Sequence, residues 1–511
     1  MVNVLVIVAD ALRKDRVGCL GGRNLTPGID SFAEDAVRFT NAFTTSNATD
    51  VAVTTIQTGR YPISHGVMNH GQRVENKHKV AVETVPQIPQ VLSEAGYSTA
   101  KIGRPLGRWH RKGFDIYPES MEGRVPTEKL GKLKSSEKQK SGLKKAEEHA
   151  SGALESIHPR LRDGVAGVYN TITGKTKNQS VSETPIEEKK ENKDETIERF
   201  RKFVESGAKK DWFSFVHLMD THDYDADPEV ICECLSSFDY SPYPIDVDKV
   251  SIPSALRDNI LPEEYEELRD RFYYGEEPST AVMDAAYDAT VMEVDERVSK
   301  LIDILKENGE FNDTLIIFLA DHGESLHQQG IMYHHHGLYE SVVRVPVLVR
   351  PPGGSNGKEV DGLVSTTDIA PTIVEYTEAD GLDPDGSSLK DLIETDAQSQ
   401  RNYVMAEDVT QRRRMIRNES KKYICLFEGG TVCRRCGVEH SGDEEFYDLC
   451  VDPSEEYNII AEGSEDIDKL RSELSKRIDK FKNRLDIDDS RVVEYDDEEV
   501  VHERMRALGY K

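Results

Sequence analysis

VNVLVIVAD, from Val2 to Asp10, is apolar at almost every position and ends on an acid. A strand with one wet face alternates apolar and polar residues; a run without alternation is buried on both faces. Two later stretches repeat the pattern. WFSFVHLMD ends on Asp220 and is followed by Thr221 and His222; TLIIFLAD ends on Asp321 and is followed by His322 and Gly323. Helical patterns lie between them. PQIPQVLSEAGYSTAKIG reads as a helix stopping near Gly96 and then a strand, and AVMDAAYDATVMEVDERVSKLIDILKENG as a long amphipathic helix closed by Gly309, its stripe packed in the core. Strands alternating with helices predict an α/β fold: a doubly wound, mostly parallel sheet flanked by helices. Such sheets bind ligands outside the carboxyl ends of their strands. Asp10, Asp220, Asp321 and His322 are therefore expected along one sheet edge. One strand-terminal Asp is an ordinary turn or helix cap; three, two of them beside a histidine, read as a site.

The chain has 511 residues, 37% of them hydrophobic, and a net charge of −29. Nucleic acids and anionic membranes attract basic surfaces, so this balance argues against both as partners. An acidic shell also suits a salt-adapted, halophilic protein. No apolar run approaches the roughly 20 residues of a membrane helix. The N-terminus lacks a basic leader region and a small-residue cleavage site. A cytoplasmic location is expected, and seven cysteines, an odd number, fit a reducing compartment. Nothing in the sequence fixes an oligomeric state.

Composition divides the chain into a catalytic α/β domain, residues 1–398, and a smaller α+β subdomain, residues 399–511. The first is interrupted at about 120–196 by a Lys/Glu-rich insertion. The second contains short strands forming a small antiparallel sheet, the amphipathic stretch DIDKLRSELSKRIDKFKNRL, and a terminal VVHERMRALGYK that suits a docking helix. Cys433 and Cys436, with Cys425 and Cys450 on flanking pieces, are candidates for a zinc site, but a second C-x-x-C is missing. Free thiols are the favoured reading there, as for Cys232 and Cys234.

ADHGES carries the most specific local signal. Asp321 and His322 are adjacent at a strand end, and Gly323 permits the turn that brings both to one ion, with Asp10 as a third ligand. Mixed oxygen and nitrogen ligation suits Mg, Mn, Ca or Zn. NATDVAVTTIQTGRYP, Asn47 to Pro62, reads as a short helix from Asp50 to Gln57, with Thr49 as N-cap and Gly59 as stop. A hydroxyl there feels the positive end of the helix dipole. Touched by a metal, it becomes a nucleophile; left alone, it is only a cap.

Several segments, in one order, resemble the sulfatase branch of the alkaline phosphatase superfamily. They are IVADALRKDRVGCLGG, TGRYPISHGV, LSEAGYSTAKIGR, KGFD, LADHGESL, HHHGLYESVVRVPVLVR, DIAPTIVEY and FYDLCVDPSEEYN. The resemblance implies a doubly wound core, a small C-terminal sheet, one divalent metal at the strand ends and in-line attack on a sulfate or phosphate ester through a covalent intermediate. Counting back from Thr58, the family's nucleophile position falls on Thr49, and Val51, Ala52 and Val53 replace its Pro, Ser and Arg. Thr cannot be converted to formylglycine, so none is expected. Superfamily phosphodiesterases and phosphotransferases use an unmodified Thr, which tilts the reading towards phosphorus esters. Ala11 stands where the family often has a second acid, and the implied metal set is Asp10, Thr49, Asp321 and His322.

The resemblance also supplies substrate contacts: Arg13, Arg60, which in the family more often braces the nucleophile helix, and Arg104, with Arg108 and His110 of GRWH as a competing match. His222 and His334 are the candidates for helping the leaving group, the register among His334, His335 and His336 staying open. Surface ion pairing is the plain alternative for these basic residues, with equal weight for Arg13 and Arg60. A second metal would need Asp220, His222 and one histidine of 334–336; one metal is the expectation. The function implied is a metal-dependent hydrolase of a small-molecule or glycan-type sulfate or phosphate ester. Its rivals are a phospho-group transferase, whose relatives usually carry membrane helices, and a non-catalytic anion binder.

Overall fold

The computed structural model describes residues 2–68, 76–118, 193–206, 211–224, 226–240, 280–331, 333–408, 412–427 and 442–485. The fold is that of the unit built from residues 1–118 and 193–511. The charged insertion lies outside the described residues as far as Asn192; Lys193–Glu205 is a helix.

The three apolar runs become β1 (Asn3–Ala9), β5 (Trp212–Leu218) and β6 (Thr314–Ala320), buried at all seven positions each. Continuous apolar sequence is what a strand covered on both faces requires. The remaining strands of the main sheet are β2 (Val37–Phe39), β4 (Ser98–Gly103), β7 (Val347–Arg350) and β8 (Glu359–Val360). The order is β4-β5-β1-β6-β7-β2-β8. β4, β5, β1 and β6 run parallel, and β7 is antiparallel to β6 and β2. A short pair, β3 (Ala42–Phe43) and β9 (Val364–Ser365), lies apart. Helices flank the main sheet, as expected. The longest, Ala281–Glu307, packs alongside Pro27–Ala33, Lys193–Glu205 and Pro228–Ser237. The helix Thr49–Thr58 packs with Ile88–Glu94 and Ile369–Thr377.

Register sets the chemistry. β1 and β6 pair Ala9 with Ala320, so Asp10 and Asp321, next in each chain, leave the sheet side by side. β1 and β5 pair Val8 with His217, and the Asp10 N–H donates to the Leu218 carbonyl at 2.8 Å.

The C-terminal part is an antiparallel meander of β10 (Val404–Asp408), β11 (Arg413–Arg417), β12 (Lys421–Leu426) and β13 (Glu444–Asp448). The helix Glu465–Lys482 covers it, burying Ile467, Leu470, Leu474 and Phe481 against Met405, Ile416, Tyr423 and Phe446. Ser464 caps this helix by accepting from the Ile467 N–H. VVHERMRALGYK, Cys433 and Cys436 lie outside the described residues; the five cysteines within them are free thiols. No helix among the described residues is long and apolar enough to cross a membrane.

Candidate active site

Asp10, Asp321 and His322 meet at the carboxyl ends of β1 and β6, all three fully buried. Asp321 Oδ1 accepts from the backbone N–H of Ala11 at 3.1 Å and of His322 at 2.8 Å. Ala11 has φ +55°, the tight left-handed turn that folds the chain back over the strand end. Asp10 Oδ2 accepts from the Thr49 hydroxyl at 3.2 Å. Asp321 Oδ2 and Asp10 Oδ1 have no hydrogen-bond partner among the described residues. His322 Nδ1 lies 2.8 Å from the Gly323 carbonyl, so it carries the proton. Its Nε2 then faces Thr49 Oγ1 at 3.3 Å, Asp321 Oδ2 at 3.6 Å and Asp10 Oδ1 at 3.9 Å as a lone pair.

Electrostatics separates the two acids. Burial works to raise the Asp10 carboxyl, but the contact with His217 and the nearby His222 and His322 hold it well below the carboxylate range. For Asp321, burial and the charge of Asp10 act together and push its carboxyl well above that range. Two buried carboxyls that cannot both ionise alone can do so around a cation. The orphaned oxygens and the lone pair of His322 therefore fit a divalent metal ion.

The helix that carries Thr49 starts one residue earlier than expected. Its N-cap is Ala48, not Thr49, and Thr49 is its first helical residue. The Thr49 hydroxyl thus has no capping duty and points at Asp10 and His322. Its other threonines are occupied: Thr54 and Thr58 donate to carbonyls one turn back, and Thr55 bonds to Thr45 and His65. Gly59 closes the helix at φ +68°.

GRWH docks on one face of this helix. Asp50 Oδ1 accepts from the Gly107 N–H at 3.4 Å and lies 3.7 Å from His110 Nε2. Trp109 Nε1 donates to Thr54 Oγ1 at 3.2 Å, and His110 Nδ1 meets Gln57 Oε1 at 3.1 Å. Residues 50, 54 and 57 share a helix face. His110 is therefore a brace inside the protein, and Asp50 is turned to that brace. The Arg108 side chain lies outside the described residues.

The basic candidates separate by partner. Arg13 is held by Asp15 through Nε at 2.8 Å and Nη2 at 2.7 Å, while its Nη1 donates to the Glu324 carbonyl and Gln328 Oε1, both at 2.9 Å. Arg60 donates to the Asp383 carbonyl at 2.8 Å and Asp383 Oδ2 at 2.7 Å. Both guanidinium groups are committed to the protein's own acceptors, the ion-pairing alternative of the two weighed for them. Arg104, half-buried just beyond β4, makes no hydrogen bond or ion pair among the described residues. Asp220, the acid of the two-metal alternative, lies 3.0 Å from Arg297.

The three consecutive histidines separate by alternation. His334 and His336 stack on each other at 4.9 Å between ring centroids, whereas His335 lies 4.6 Å from His322 and 6.5 Å from His222. In extended chain, neighbours point to opposite sides. The ring packed on the acid–histidine cluster is thus that of His335, which corrects the choice of His334.

His217 was missed by sequence reasoning. It is buried on β5 with Nε2 3.4 Å from Asp10 Oδ2. Ligand-type atoms of Asp10, His217 and Asp321 lie within 4.8 Å of one another. The available signal was its position: it is the one ionisable residue inside an apolar run covered on both faces.

Fold and site together define an alkaline phosphatase-like α/β hydrolase, with a hydroxyl held against an acid–histidine cluster at the strand ends. The family described as Sulfatase matches residues 2–379, and the family described as N-sulphoglucosamine sulphohydrolase, C-terminal, matches residues 330–484. The chain belongs to the sulfatase family. It is 24% identical to an arylsulfatase of Clostridium perfringens, over 93% of this chain and 94% of that one. It is 22% identical to an N-acetylglucosamine-6-O-sulfatase of Bacteroides thetaiotaomicron, over 93% and 85%. Among solved structures, the phosphonate monoester hydrolase of Agrobacterium radiobacter superposes with a TM-score of 0.59 at 21% identity, covering 95% of this chain and 96% of that one. A protein in complex with its substrate D-glucosamine-2-N,6-O-disulfate superposes with a TM-score of 0.62 at 18% identity, covering 96% and 100%.

Proposed function

We propose that the protein is a metal-dependent hydrolase of sulfate or phosphate esters that works through a covalent intermediate on Thr49. The observation that carries this reading is the Thr49 hydroxyl, freed from capping and set 3.2 Å from Asp10 and 3.3 Å from His322. A divalent cation held by Asp10, Asp321, His322 and Thr49 would lower the pKa of that hydroxyl and offset charge on the ester oxygens. Thr49 would react as the alkoxide, its proton passed to solvent, as Oγ1 bonds to sulfur or phosphorus. The bond to the leaving oxygen breaks on the opposite side. That oxygen takes its proton from His222 or His335, and the same base then activates the water that cleaves the Thr49 ester and restores the hydroxyl. Arg104 is the cation this reading assigns to the remaining oxygens.

Thr49 lacks the chemistry that yields formylglycine. Its intermediate must be cleared by water attacking the transferred group itself, which favours phosphorus over sulfur. The relatives support both classes, since they include sulfatases of glycan sugars and phosphonate monoester hydrolases. A small-molecule or glycan-type ester is the substrate proposed.

The test compares wild type with Thr49→Ala on paired aryl sulfate, phosphate monoester, phosphodiester and phosphonate ester. The expected loss is roughly 10³-fold or more with metal content unchanged, and mass spectrometry of quenched wild type finds the adduct on Thr49. A Thr49→Ala protein as fast as wild type sinks the proposal. Strong preference for the aryl sulfate would overturn the phosphorus preference.

A further inference from the structure

His217 has no part in the reaction described above, yet its ring is the least explained polar group of the core. It is 1% exposed, and neither ring nitrogen has a hydrogen-bond partner among the described residues. Buried polar groups are seldom left this way, because their desolvation is uncompensated. Its place is fixed by β5, one rung below Asp10, and the 3.4 Å from its Nε2 to Asp10 Oδ2 is long for a working imidazole–carboxylate hydrogen bond. It is an ordinary separation for two atoms bound to one ion, since ligands at about 2.1 Å from a tetrahedral metal stand roughly 3.4 Å apart. Ligand-type atoms of Asp10 and Asp321 lie within 4.8 Å of it, and Asp10 Oδ1 and Asp321 Oδ2 are also unpartnered among the described residues.

We propose that His217 is a metal ligand alongside Asp10, Asp321 and His322, and that it makes the site selective for a transition cation such as Zn²⁺ or Fe²⁺ over Ca²⁺ and Mg²⁺. This rests on the metal site of the function proposed above. The chemistry of the donors gives the selectivity. Ca²⁺ takes six to eight oxygens. Here Ala11 removes an oxygen donor from the turn after β1, and two imidazoles join two carboxylates and a hydroxyl. Imidazole nitrogen suits Zn, Fe and other transition ions and adds little for Ca²⁺ or Mg²⁺.

The test needs no turnover. Zinc-loaded wild type is measured by X-ray absorption at the zinc edge, where imidazole scattering counts histidine ligands. Two per zinc are expected; one overturns the assignment. In parallel, apo wild type, His217→Asn and His322→Asn, each checked for native circular dichroism, are titrated with Co²⁺ and with Ca²⁺. His217→Asn should weaken Co²⁺ binding at least tenfold, change the visible d–d band, and leave Ca²⁺ affinity within about twofold. An unchanged band, or equal losses for both ions, makes His217 an outer support and overturns the proposal while the metal site stands. Wild type that binds neither ion removes the site itself, and with it the function proposed above.

Discussion

Arg60 and Arg104 are equivalent in charge and reach, and the structure gives them opposite employment. Arg60 ties the Gly-Arg corner after the helix Thr49–Thr58 to the Asp383 loop. Arg104 has no such tie among the described residues. Arg60→Ala should therefore cost about 1–2 kcal/mol of stability in urea denaturation with KM unchanged. Arg104→Ala should leave the denaturation midpoint in place and lower kcat/KM by about 10- to 100-fold, the worth of charge-assisted hydrogen bonds to an anion. An Arg104→Ala protein with wild-type kcat/KM would remove it from the site. The count back from Thr58 lands on a hydroxyl that meets Asp10 and His322, since a helix transmits register faithfully over two or three turns. Asp15, two residues from Arg13, is local, but the other partners were not legible, because Glu324 and Gln328 for Arg13 and Asp383 for Arg60 are more than 300 residues away.

At the scale of elements, the helix Ala281–Glu307 shows where periodicity stops informing. Its spacing correctly marks one face for the core, but that face also buries Asp284, Asp288 and Asp295. Asp288 binds Arg16 at 2.6 Å, Arg23 at 2.7 Å and the Tyr240 hydroxyl at 3.0 Å; Asp295 accepts from the N–H groups of Gly28 and Ile29. A 3.6-residue repeat says which side is inside, not which distant cation meets it there. Asp284, 3.6 Å from His327, is pushed up to about 7 by burial, against the pull of Arg16 and with the charge of Asp288 adding to the rise. Its folded value exceeds its unfolded value, so between about pH 4 and pH 7 the native state holds a proton that the unfolded chain releases. Stability is full below that window and falls as pH rises through it, by up to about 1.4 kcal/mol per unit from this group. Asp284→Asn should flatten that slope in denaturation series at pH 5 and pH 7. An unchanged slope would show that Asp284 is ionised in the native state.

At the scale of the whole molecule, the C-terminal sheet is a wall of the site. Ser46, three residues before Thr49, bridges to Glu407 at the end of β10, and the Glu407 N–H donates to the Thr45 carbonyl at 2.8 Å. Next to it, Asp408 Oδ2 accepts from the Gly337 N–H at 3.0 Å, and Asn47 Nδ2 donates to the His335 carbonyl at 2.8 Å. One strand end thus fixes both the approach to Thr49 and the histidine loop. Asp408→Ala should strand the Gly337 N–H, cost about 1–3 kcal/mol, and lower kcat more than it changes KM. Asp408→Asn, which keeps an acceptor, should restore both; if it does not, the charge rather than the hydrogen bond matters. By itself the sequence determined the α/β class, the two strand ends that deliver Asp10, Asp321 and His322, and the register of Thr49. Those are local properties, written in apolar runs and counted spacings. Only the tertiary structure decided that His335 and not His334 meets the site, that His217 lies beside Asp10, and that Arg13 and Arg60 serve the fold. Those outcomes depend on side-chain contacts between separate elements, such as His217 with Asp10 and Arg60 with Asp383, and a one-dimensional pattern carries no term for such contacts.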